Sequence, residues 1–371
     1  MKTIIRPILS IASKETKHIR RDPFTLAVAL LLPLLFVWFF GFVINLDYHN
    51  IPLLVRDNDQ SRSSRELLMQ AGAAGYFDVV AVHSPAEAEK ALQKNSMKGL
   101  LIIPPGFHDN LTRGDVARAQ LLVDGSDNTL AALMNMYMQG ISAAAQQALA
   151  VPRASEPNMI RTRYLFNPEL NSRWFIVPAL STVIIGFLAI ILTALTVARE
   201  WENGSMELLL STPVRPFEIV LGKLLPYFAL SFFDALLVFA LALIVFHIPF
   251  MGSFLLYLLA CTLFIIGSLA LGLLISVLTR QQQAAIQFGF AIGLLPSFMF
   301  SGFIFPIENM PLFFRWFTGL FPQRWFLSLS RSLFLTEAGF KELAGPFAAL
   351  FIFMFVMVAL AVKKFKTDVE P

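Results

Sequence analysis

The stretch that decides the fold of this chain is VAREWENGSMELLLSTPVRPFEIVLGK, residues 197–223, a short polar interruption between two long apolar runs. Asn203-Gly204-Ser205 permits a sharp turn, and Thr212-Pro213 ends the short helix predicted over residues 206–210. Its four carboxylates are interleaved with leucines and a methionine, a mixture suited either to a solvated connection or to docking. The stretch therefore predicts two membrane helices joined by a small amphipathic segment.

The composition is that of a polytopic membrane protein. Of 371 residues, 56% are hydrophobic and only 15% are charged, which is unlike an ordinary soluble protein. A transmembrane helix needs about 20 mainly apolar residues. The apolar runs predict an α-helical polytopic membrane protein with six transmembrane helices, at residues 23–46, 173–198, 224–250, 254–278, 284–307 and 346–362. The first run has no A-x-A-like cleavage site, so we expect it to remain as an anchor.

Positive charges near the ends of these runs predict the orientation, because cytoplasmic loops carry an excess of Lys and Arg. The two terminal segments, residues 1–22 and 363–371, are basic and are expected in the cytoplasm. The hairpin at residues 199–223, which carries Arg199, Arg215 and Lys223, is then expected there as well. Apolar side chains recur at three- and four-residue intervals in the first segment. This predicts an interfacial helix whose basic side faces anionic lipid headgroups, with Lys14, Arg20 and Arg21. No nucleic-acid partner is expected.

Residues 47–172 lack long apolar runs and are expected to form an inserted extracytoplasmic α/β domain with one sheet. Alternating patterns predict strands at residues 51–55, 76–82, 99–103 and 119–123. Helices are predicted at residues 61–73, 85–94, 106–112 and 129–150. Two pairs of aspartates follow strands, where a turn-forming or capping role competes with metal or substrate binding; they are Asp57/Asp59 and Asp124/Asp127. No metal-ligand spacing is present, since His83 and His108 are isolated.

One carboxylate lies inside a predicted span. An intramembrane acid is costly and is by default a functional candidate, so Asp234 in the third span is assigned to a transport pathway. The alternative is structural, because Asp234 would also fix helix packing by hydrogen bonding to Ser268 or Thr262.

Small residues in the fourth and fifth spans, such as Gly272 and Gly289, predict close helix contacts or sliding between helices. The fifth span also contains residues that break a helix near its end, and its pathway candidates are Pro296, Ser297 and Gly302. Residues 308–345 are amphipathic, because arginines recur there among aromatic side chains, a mixture typical of the headgroup layer. Arg315 and Arg324 are therefore expected to anchor this segment at the interface, with direct substrate contact as the alternative.

Residues 199–213 resemble the coupling segment of ABC-2-type transporter permeases, in which an RE.E.G(S/T).E.L..TP pattern fits a groove on a separate ATPase subunit. The resemblance implies ATPase-coupling roles for Arg199, Glu200, Glu202, Gly204, Ser205, Met206, Glu207, Leu209, Thr212 and Pro213. KETKHIRRDP at residues 14–23 resembles the start of these permeases. LLIIPPGFHDNLTRGD at residues 100–115 resembles the periplasmic domain of their drug-exporter branch, and SGFIFPIENMP at residues 301–311 their outer re-entrant helices.

The resemblance implies the permease subunit of an ATP-binding cassette exporter with an ABC-2, type V exporter-like fold in the bacterial inner membrane. No G-x-x-x-x-G-K-[ST] phosphate loop is present, so we expect no enzyme activity or cofactor in this chain, and ATP and Mg on two copies of a partner ATPase. Six spans without an internal repeat imply a second permease chain, identical or related. A periplasmic membrane-fusion adaptor is a further partner that the resemblance allows. The implied cargo is a hydrophobic or amphiphilic drug or lipid-like molecule.

Two rival functions follow from the same residues. A proton-coupled secondary transporter would use Asp234 to carry the proton, although such transporters typically need more than one intramembrane ionisable group. It would transport without an ATPase partner and would lose transport in the Asp234→Asn variant. A membrane-anchored sensor or scaffold would act through residues 47–172 and would tolerate deletion of the hairpin.

Overall fold

The computed structural model describes residues 2–43, 51–73, 75–82, 98–113, 115, 117–123, 128–149, 171–307 and 310–369. The chain divides into two compact units. The larger unit consists of Met1–Asn45 together with Phe166–Pro371, and the smaller unit is Leu46–Leu165. In the sequence, the smaller unit therefore interrupts the larger one close to the boundaries expected for the α/β domain.

Two helices form the N-terminal part of the larger unit, α1 (Lys2–Arg21) and α2 (Pro23–Val43). The break between them falls at Asp22, because a proline disfavours helical backbone in the residue before it and is well suited to start a helix. α1 buries part of its apolar side and exposes most of its basic side chains. The helices predicted for these two segments are confirmed, and residues 44–46 of the predicted first span lie outside the described residues.

The smaller unit alternates strands and helices around one sheet. Its elements are β1 (Ile51–Asp57), α3 (Arg62–Ala73), β2 (Phe77–Ala81), β3 (Gly99–Ile103), α4 (Phe107–Arg113), β4 (Gln120–Val123) and α5 (Asn128–Leu149). The strand order is β2-β1-β3-β4, in which β1 is parallel to β2 and β3 and only β4 is antiparallel to its neighbour. Side chains of β1 and β3 pack against α3 and α5 in the core. These elements match the predicted ones within two residues, and the helix predicted at residues 85–94 lies outside the described residues.

The rest of the larger unit is helical. Its elements are α6 (Ser172–Glu202), α7 (Ser205–Leu210), α8 (Pro216–Ile244), α9 (Phe254–Thr279), α10 (Gln282–Gly289), a π-helical turn (Phe290–Leu294), α11 (Leu295–Met299), α12 (Leu312–Phe317), a 3-10 turn (Thr318–Leu320), α13 (Pro322–Leu335) and α14 (Phe340–Val369). Within the described residues, five helices have the length and hydropathy needed to cross a membrane, namely α2, α6, α8, α9 and α14.

The third predicted span is displaced towards the N-terminus. α8 begins at Pro216 and not at residue 224, because the backbone N–H of Arg215 donates to the Glu218 carboxylate (3.0 Å) and a proline is favoured at the first helical position. Polar residues that were expected in the connection are therefore part of the helix. α8 ends at Ile244 and not at residue 250, and His247 follows with a φ of 50° that is incompatible with an α-helix.

The fifth predicted span, residues 284–307, is not one regular helix. α10, the π-helical turn and α11 form a continuous rod that ends at Met299. Pro296 has no N–H for the intrahelical hydrogen bond, and in membrane helices a local π-helical adjustment can re-satisfy the backbone groups that a proline frees. Gly302 then has a φ of 85°, a left-handed conformation that glycine adopts without a steric penalty. The rod is therefore shorter than predicted, although its breaking residues were identified.

α6 is the central helix of the larger unit, and most of its side chains between Ile176 and Ala198 are buried. It packs closely against α9. The hydroxyl of Thr193 donates to the carbonyl of Leu269 (2.8 Å), and the hydroxyl of Ser276 accepts from the backbone N–H of Ala198 (2.8 Å). A Cβ atom on Gly272 would collide with the carbonyl of Ile190. The close contact predicted from the small residues of α9 is confirmed.

Candidate functional site

The connection between α6 and α8 is built from a left-handed turn and a short helix. Gly204 follows the last turn of α6 with a φ of 67°, and α7 begins directly after it. Non-glycine residues are strained in this conformation, so the glycine is required by backbone geometry and not by a lack of space. α7 ends at Leu210, just before Thr212 and Pro213. The predicted turn and short helix are confirmed, with the helix starting one residue earlier than expected.

α7 has one buried and one exposed side. The side chain of Met206 is fully buried in the core of the larger unit. On the other side, Glu207 is exposed and Leu208 keeps 73% of its surface accessible. Thr212 and Pro213 are exposed as well. α7 is therefore held on the larger unit through Met206 while it presents an apolar and acidic surface.

Beside α7, a buried ion-pair network joins three helices. The ammonium of Lys223 in α8 lies 2.7 Å from a carboxylate oxygen of Glu15 in α1 and 2.7 Å from one of Glu200 in α6. Lys14 also contacts Glu200, at 2.6 Å, so that two ammonium groups face two carboxylates. The hydroxyl of Tyr227 donates to Glu15 at 3.4 Å. Because buried charges are tolerated only when they are paired, this network fixes α1 against the base of α6 and α8.

The neighbouring charged residues of α6 also make contacts within the chain. A guanidinium nitrogen of Arg199 lies 2.9 Å from Nε2 of His18 and 4.0 Å from a carboxylate oxygen of Asp22. Glu202 accepts a hydrogen bond from the backbone N–H of Gln282 (2.8 Å) and another from its side-chain amide. These contacts join the C-terminal end of α6 to the end of α1 and to the start of α10.

A cleft of about 190 Å³ opens between α1 and the end of α6. Charged side chains of the network line it, among them Glu15, Asp22, Arg199 and Glu200. The sequence-derived site residues therefore fall into two groups. Arg199, Glu200 and Glu202 contact other parts of this chain, although Glu202 is exposed. Glu207, Thr212 and Pro213 are exposed as well. The sequence analysis did not identify Glu15 as a site residue and did not predict that Lys223 is buried. The position of Lys223 next to a long apolar run could have indicated its burial.

Asp234 is buried in α8, and it lacks the hydrogen bonds that the structural alternative predicts for it. Only 3% of its surface is accessible, and its Oδ1 has no hydrogen-bond partner within the described residues. The hydroxyl of Ser268 has no partner within the same part of the chain, and Thr262 donates to the carbonyl of Leu258 in its own helix (2.8 Å). The structural alternative of a bond from Asp234 to Ser268 or Thr262 is therefore wrong, because the Ser268 hydroxyl makes no hydrogen bond within the described residues and the Thr262 hydroxyl bonds within its own helix.

The other pathway and interface candidates lie in three places: in α11 at the end of the rod, in α12 and α13 after it, and on α1. Ser297 and Pro296 are buried in α11, where the Ser297 hydroxyl donates to the Gly293 carbonyl. Arg324 of α13 donates to the carbonyl of Arg315 (2.7 Å) and to the hydroxyl of Thr318 (2.6 Å). Arg20 and Arg21 are exposed on α1.

In the smaller unit, the predicted turn-forming role of one aspartate pair is confirmed. Asp57 accepts hydrogen bonds from the backbone N–H of Gln60 (2.9 Å) and from the hydroxyl of Ser64 (2.6 Å). Asp59 accepts from the backbone N–H of Phe107 (3.0 Å) at the start of α4. Burial pushes the pKa of Asp59 upwards, but hydrogen bonds from Ser61 and from α4 outweigh it and hold that pKa below its usual range. Asp124, Asp127 and His83 lie outside the described residues.

The chain matches known proteins over most of its length. The model of a family described as ABC-2 family transporter protein matches residues 23–363. The chain belongs to this family. Two relatives from Escherichia coli strain K12 are the probable multidrug ABC transporter permeases YbhS, which is 36% identical over 89% of this chain and 89% of its own length, and YbhR, which is 31% identical over 88% and 89%. The inner membrane transport permease YhhJ of the same strain is 26% identical over 98% of both chains.

As an ABC-2 family member with several helices long and apolar enough to span a bilayer, this chain is a polytopic helical membrane permease. The relatives align along most of the chain, so the likeness includes both structural units and not only the hairpin. Within this ABC-2 permease, the α6–α8 connection contains both a fully buried candidate, Met206, and exposed ones, Glu207, Thr212 and Pro213. The short helix α7 lies beside the ion-pair network that joins α1, α6 and α8.

Proposed function

We propose that this ABC-2 permease is the membrane subunit of an exporter driven by a separate ATPase, and that α7 receives the mechanical work. One observation carries the proposal: α7 is anchored through the fully buried Met206 and presents Leu208 with 73% of its surface accessible beside the exposed Glu207. An exposed leucine beside a carboxylate is suited to a protein contact. The segment from Arg199 to Pro213 is the proposed ATPase-coupling site.

The ion-pair network supports transmission of that work. A push on α7 acts on α6 through the short turn at Gly204 and on α8 through residues 211–215. Because Lys223 joins α8 to Glu15 and Glu200, the base of the helix pair and α1 move as one body. In this proposal α1 lies in the inner interface with Arg20 and Arg21 towards anionic headgroups, whereas Lys14, which was expected to face them as well, pairs with Glu200.

The proposed assembly contains two permease chains, identical or related, and two ATPase subunits that bind ATP and Mg. A periplasmic membrane-fusion adaptor is a further proposed partner. Each permease would cross the bacterial inner membrane six times, with the α10–α11 rod as the fifth crossing, both termini in the cytoplasm and the smaller unit in the periplasm. The relatives described as multidrug permeases favour a hydrophobic or amphiphilic cargo, drug-like or lipid-like.

The test uses the permease purified together with its ATPase and reconstituted in vesicles. We expect Glu207→Arg and Gly204→Pro to abolish the stimulation of ATP hydrolysis by the permease and to leave membrane insertion intact. Glu337→Arg is the matched charge reversal at another exposed glutamate and should leave the stimulation unchanged. Full stimulation in both hairpin variants would refute the coupling role of α7.

A second candidate, a proton-coupled secondary transporter, is favoured by Asp234, whose buried Oδ1 has no hydrogen-bond partner within the described residues. In a transporter of this class the acid carries the coupling proton. The two candidates differ in one measurement. ATP-dependent transport that persists in Asp234→Asn supports the exporter, whereas transport that needs no ATPase and is lost in this variant supports the alternative.

A further inference from the structure

A cleft of about 540 Å³ opens on the smaller unit between α5 and the chain segment that leads into β4. Apolar side chains form most of its floor and walls: Leu67, Leu101, Phe107, Leu111, Leu121 and Met138. The described residues that line it all belong to the smaller unit. The coupling site and the ion-pair network lie in the larger unit, so this cleft is a separate feature of the chain.

The cleft is an opening into the hydrophobic core of the smaller unit. Leu67, Leu101 and Phe107 are buried core residues, whereas Leu111 and Met138 pack against the core and are only half-buried. Protein interiors are normally filled to the density of an organic crystal, so apolar space of this size that reaches the surface is unusual. Sites for small molecules typically have about 300–1,000 Å³ and a largely apolar lining. A ligand with an apolar body would remove this lining from water, which favours binding.

The rim of the cleft carries hydrogen-bonding groups. Asn135, Gln139 and Ser142 are spaced by four and three residues along α5, so they lie on one side of this helix. The side-chain amide of Gln139 donates to the amide oxygen of Asn135 (3.4 Å). Arg118 comes from the segment before β4. Asn135, Gln139 and Arg118 are exposed, so the polar groups lie at the mouth of the cleft and the apolar ones at its floor.

The charge of the cleft is complementary to an anion. Among the described residues that line it, Arg118 carries a charge and none is a carboxylate. The guanidinium of Arg118 forms no hydrogen bond or ion pair with the part of the chain that the structure describes. A guanidinium stays charged in proteins and presents two parallel N–H groups to a carboxylate. One exposed charge contributes modestly, so the apolar floor supplies the affinity and Arg118 the preference for an anionic end.

We propose that this cleft binds a small anionic amphiphile, a molecule with an apolar chain or ring and a single carboxylate-like end group. The apolar part fills the opening beside Leu101, Phe107 and Met138, and the end group pairs with Arg118 at the mouth. Met138 suits this role because its unbranched, flexible side chain adapts to ligands of different shape. The inference concerns binding by the smaller unit and does not depend on the coupling mechanism of α7.

The experiment is photo-crosslinking of the purified full-length permease in lipid nanodiscs. The probe is decanoate with a diazirine in its chain, and mass spectrometry of the peptides locates the labelled residues. We expect labels within residues 101–121 and 134–145, which together contain most of the lining. Unlabelled decanoate should suppress this labelling, and decanol, which has the same chain without the charge, is the matched competitor. We expect decanoate to act at about two- to fivefold lower concentration, the range that one exposed ion pair supplies.

Three variants test the site within the full-length chain. Ser142→Phe places an aromatic ring in the cleft and should abolish labelling of the lining. Gly140→Phe adds the same side chain to α5 at an exposed position, where no neighbouring side chain lies within 4 Å of the position of its Cβ, and should be labelled like the unmodified chain. Arg118→Gln alters an exposed side chain, so it tests the cleft even if Ser142→Phe destabilises the protein. It should weaken suppression by decanoate about two- to fivefold and leave suppression by decanol unchanged.

Three results would overturn the proposal. Labels confined to other segments would place the decanoate site elsewhere in the chain. Equal labelling of the lining in Ser142→Phe and in the unmodified chain would show that the cleft is not the place where the probe binds. Equal potency of decanoate and decanol, in the unmodified chain and in Arg118→Gln alike, would contradict the anionic end group.

Discussion

The ammonium group of Lys223 lies 2.7 Å from a carboxylate oxygen of Glu15, although 208 positions separate the two residues in the sequence. Both side chains are buried, with 1% and 5% of their surface accessible. The contact joins α1 to α8 at the base of the hairpin. In the proposed mechanism this ion pair makes the interfacial helix part of the moving body.

Removal of the charge on Lys223 should destabilise the larger unit strongly. Lys223→Met leaves the carboxylates of Glu15 and Glu200 buried without their shared partner, which typically costs about 3–5 kcal/mol. Thermal unfolding of the detergent-solubilised chain measures the effect. The triple variant Lys223→Met, Glu15→Gln, Glu200→Gln removes the charges together and should recover most of the loss. Lys14→Gln is the exposed control and should have a small effect. A stable Lys223→Met protein would contradict the assigned role of the network.

The close packing of α6 against α9 predicts a second effect on stability. Gly272→Val places side-chain atoms where the carbonyl of Ile190 and the hydroxyl of Thr193 lie, and overpacking of this kind costs about 1–3 kcal/mol. Gly345→Ala in α14 is the matched control, because no atom lies within 4 Å of the position of its Cβ. Thermal unfolding should separate the two variants clearly, and equal melting temperatures would argue against the close helix contact.

The smaller unit has a predictable dependence on pH. The folded-state pKa of Asp59 is below its usual range, because hydrogen bonds outweigh the opposing effect of burial. Asp59 therefore contributes stability that is present above the unfolded pKa of about 3.9 and is lost as the pH falls through the lower folded-state pKa. Asp59→Asn should destabilise the start of α4 by about 1 kcal/mol at pH 7 and by less in acid.

Hydrogen exchange of the peptide that contains residues 107–113 measures this effect in the full-length chain. The variant should exchange faster than the unmodified chain at pH 7, and the difference in stability should shrink in acid. Asp78→Asn changes an exposed aspartate of β2 and serves as the control. A difference that grows in acid would have the wrong sign for a lowered pKa.

Much of the fold could be predicted from the sequence, because hydropathy and periodicity are local properties. The strand at residues 99–103 was located to the residue, and the turn at Gly204 followed from Asn-Gly-Ser. Helix ends were less predictable. α8 begins at Pro216 because the Arg215–Glu218 pair caps it, which places polar residues in a helix that hydropathy alone would start later.

Only the part of the candidate site that lies within one continuous segment could be predicted from the sequence. The exposed residues of α7 were found from a linear motif. The partners of Glu200 were not found, because Glu15 and Lys223 lie in distant segments that only tertiary packing brings together. The alternative bond of Asp234 to Ser268 was wrong, since helix spacing gives the neighbouring helices but not the rotation that decides which side chains meet.

The side of the membrane on which α7 lies tests the central claim most directly. Cys261 is buried, so Leu208→Cys in a Cys261→Ser background provides a single exposed thiol for a membrane-impermeant maleimide. We predict labelling in inside-out vesicles, protection when the ATPase subunit is bound, and no labelling in intact cells. Labelling from outside intact cells would contradict the account, because α7 could then not receive work from a cytoplasmic ATPase.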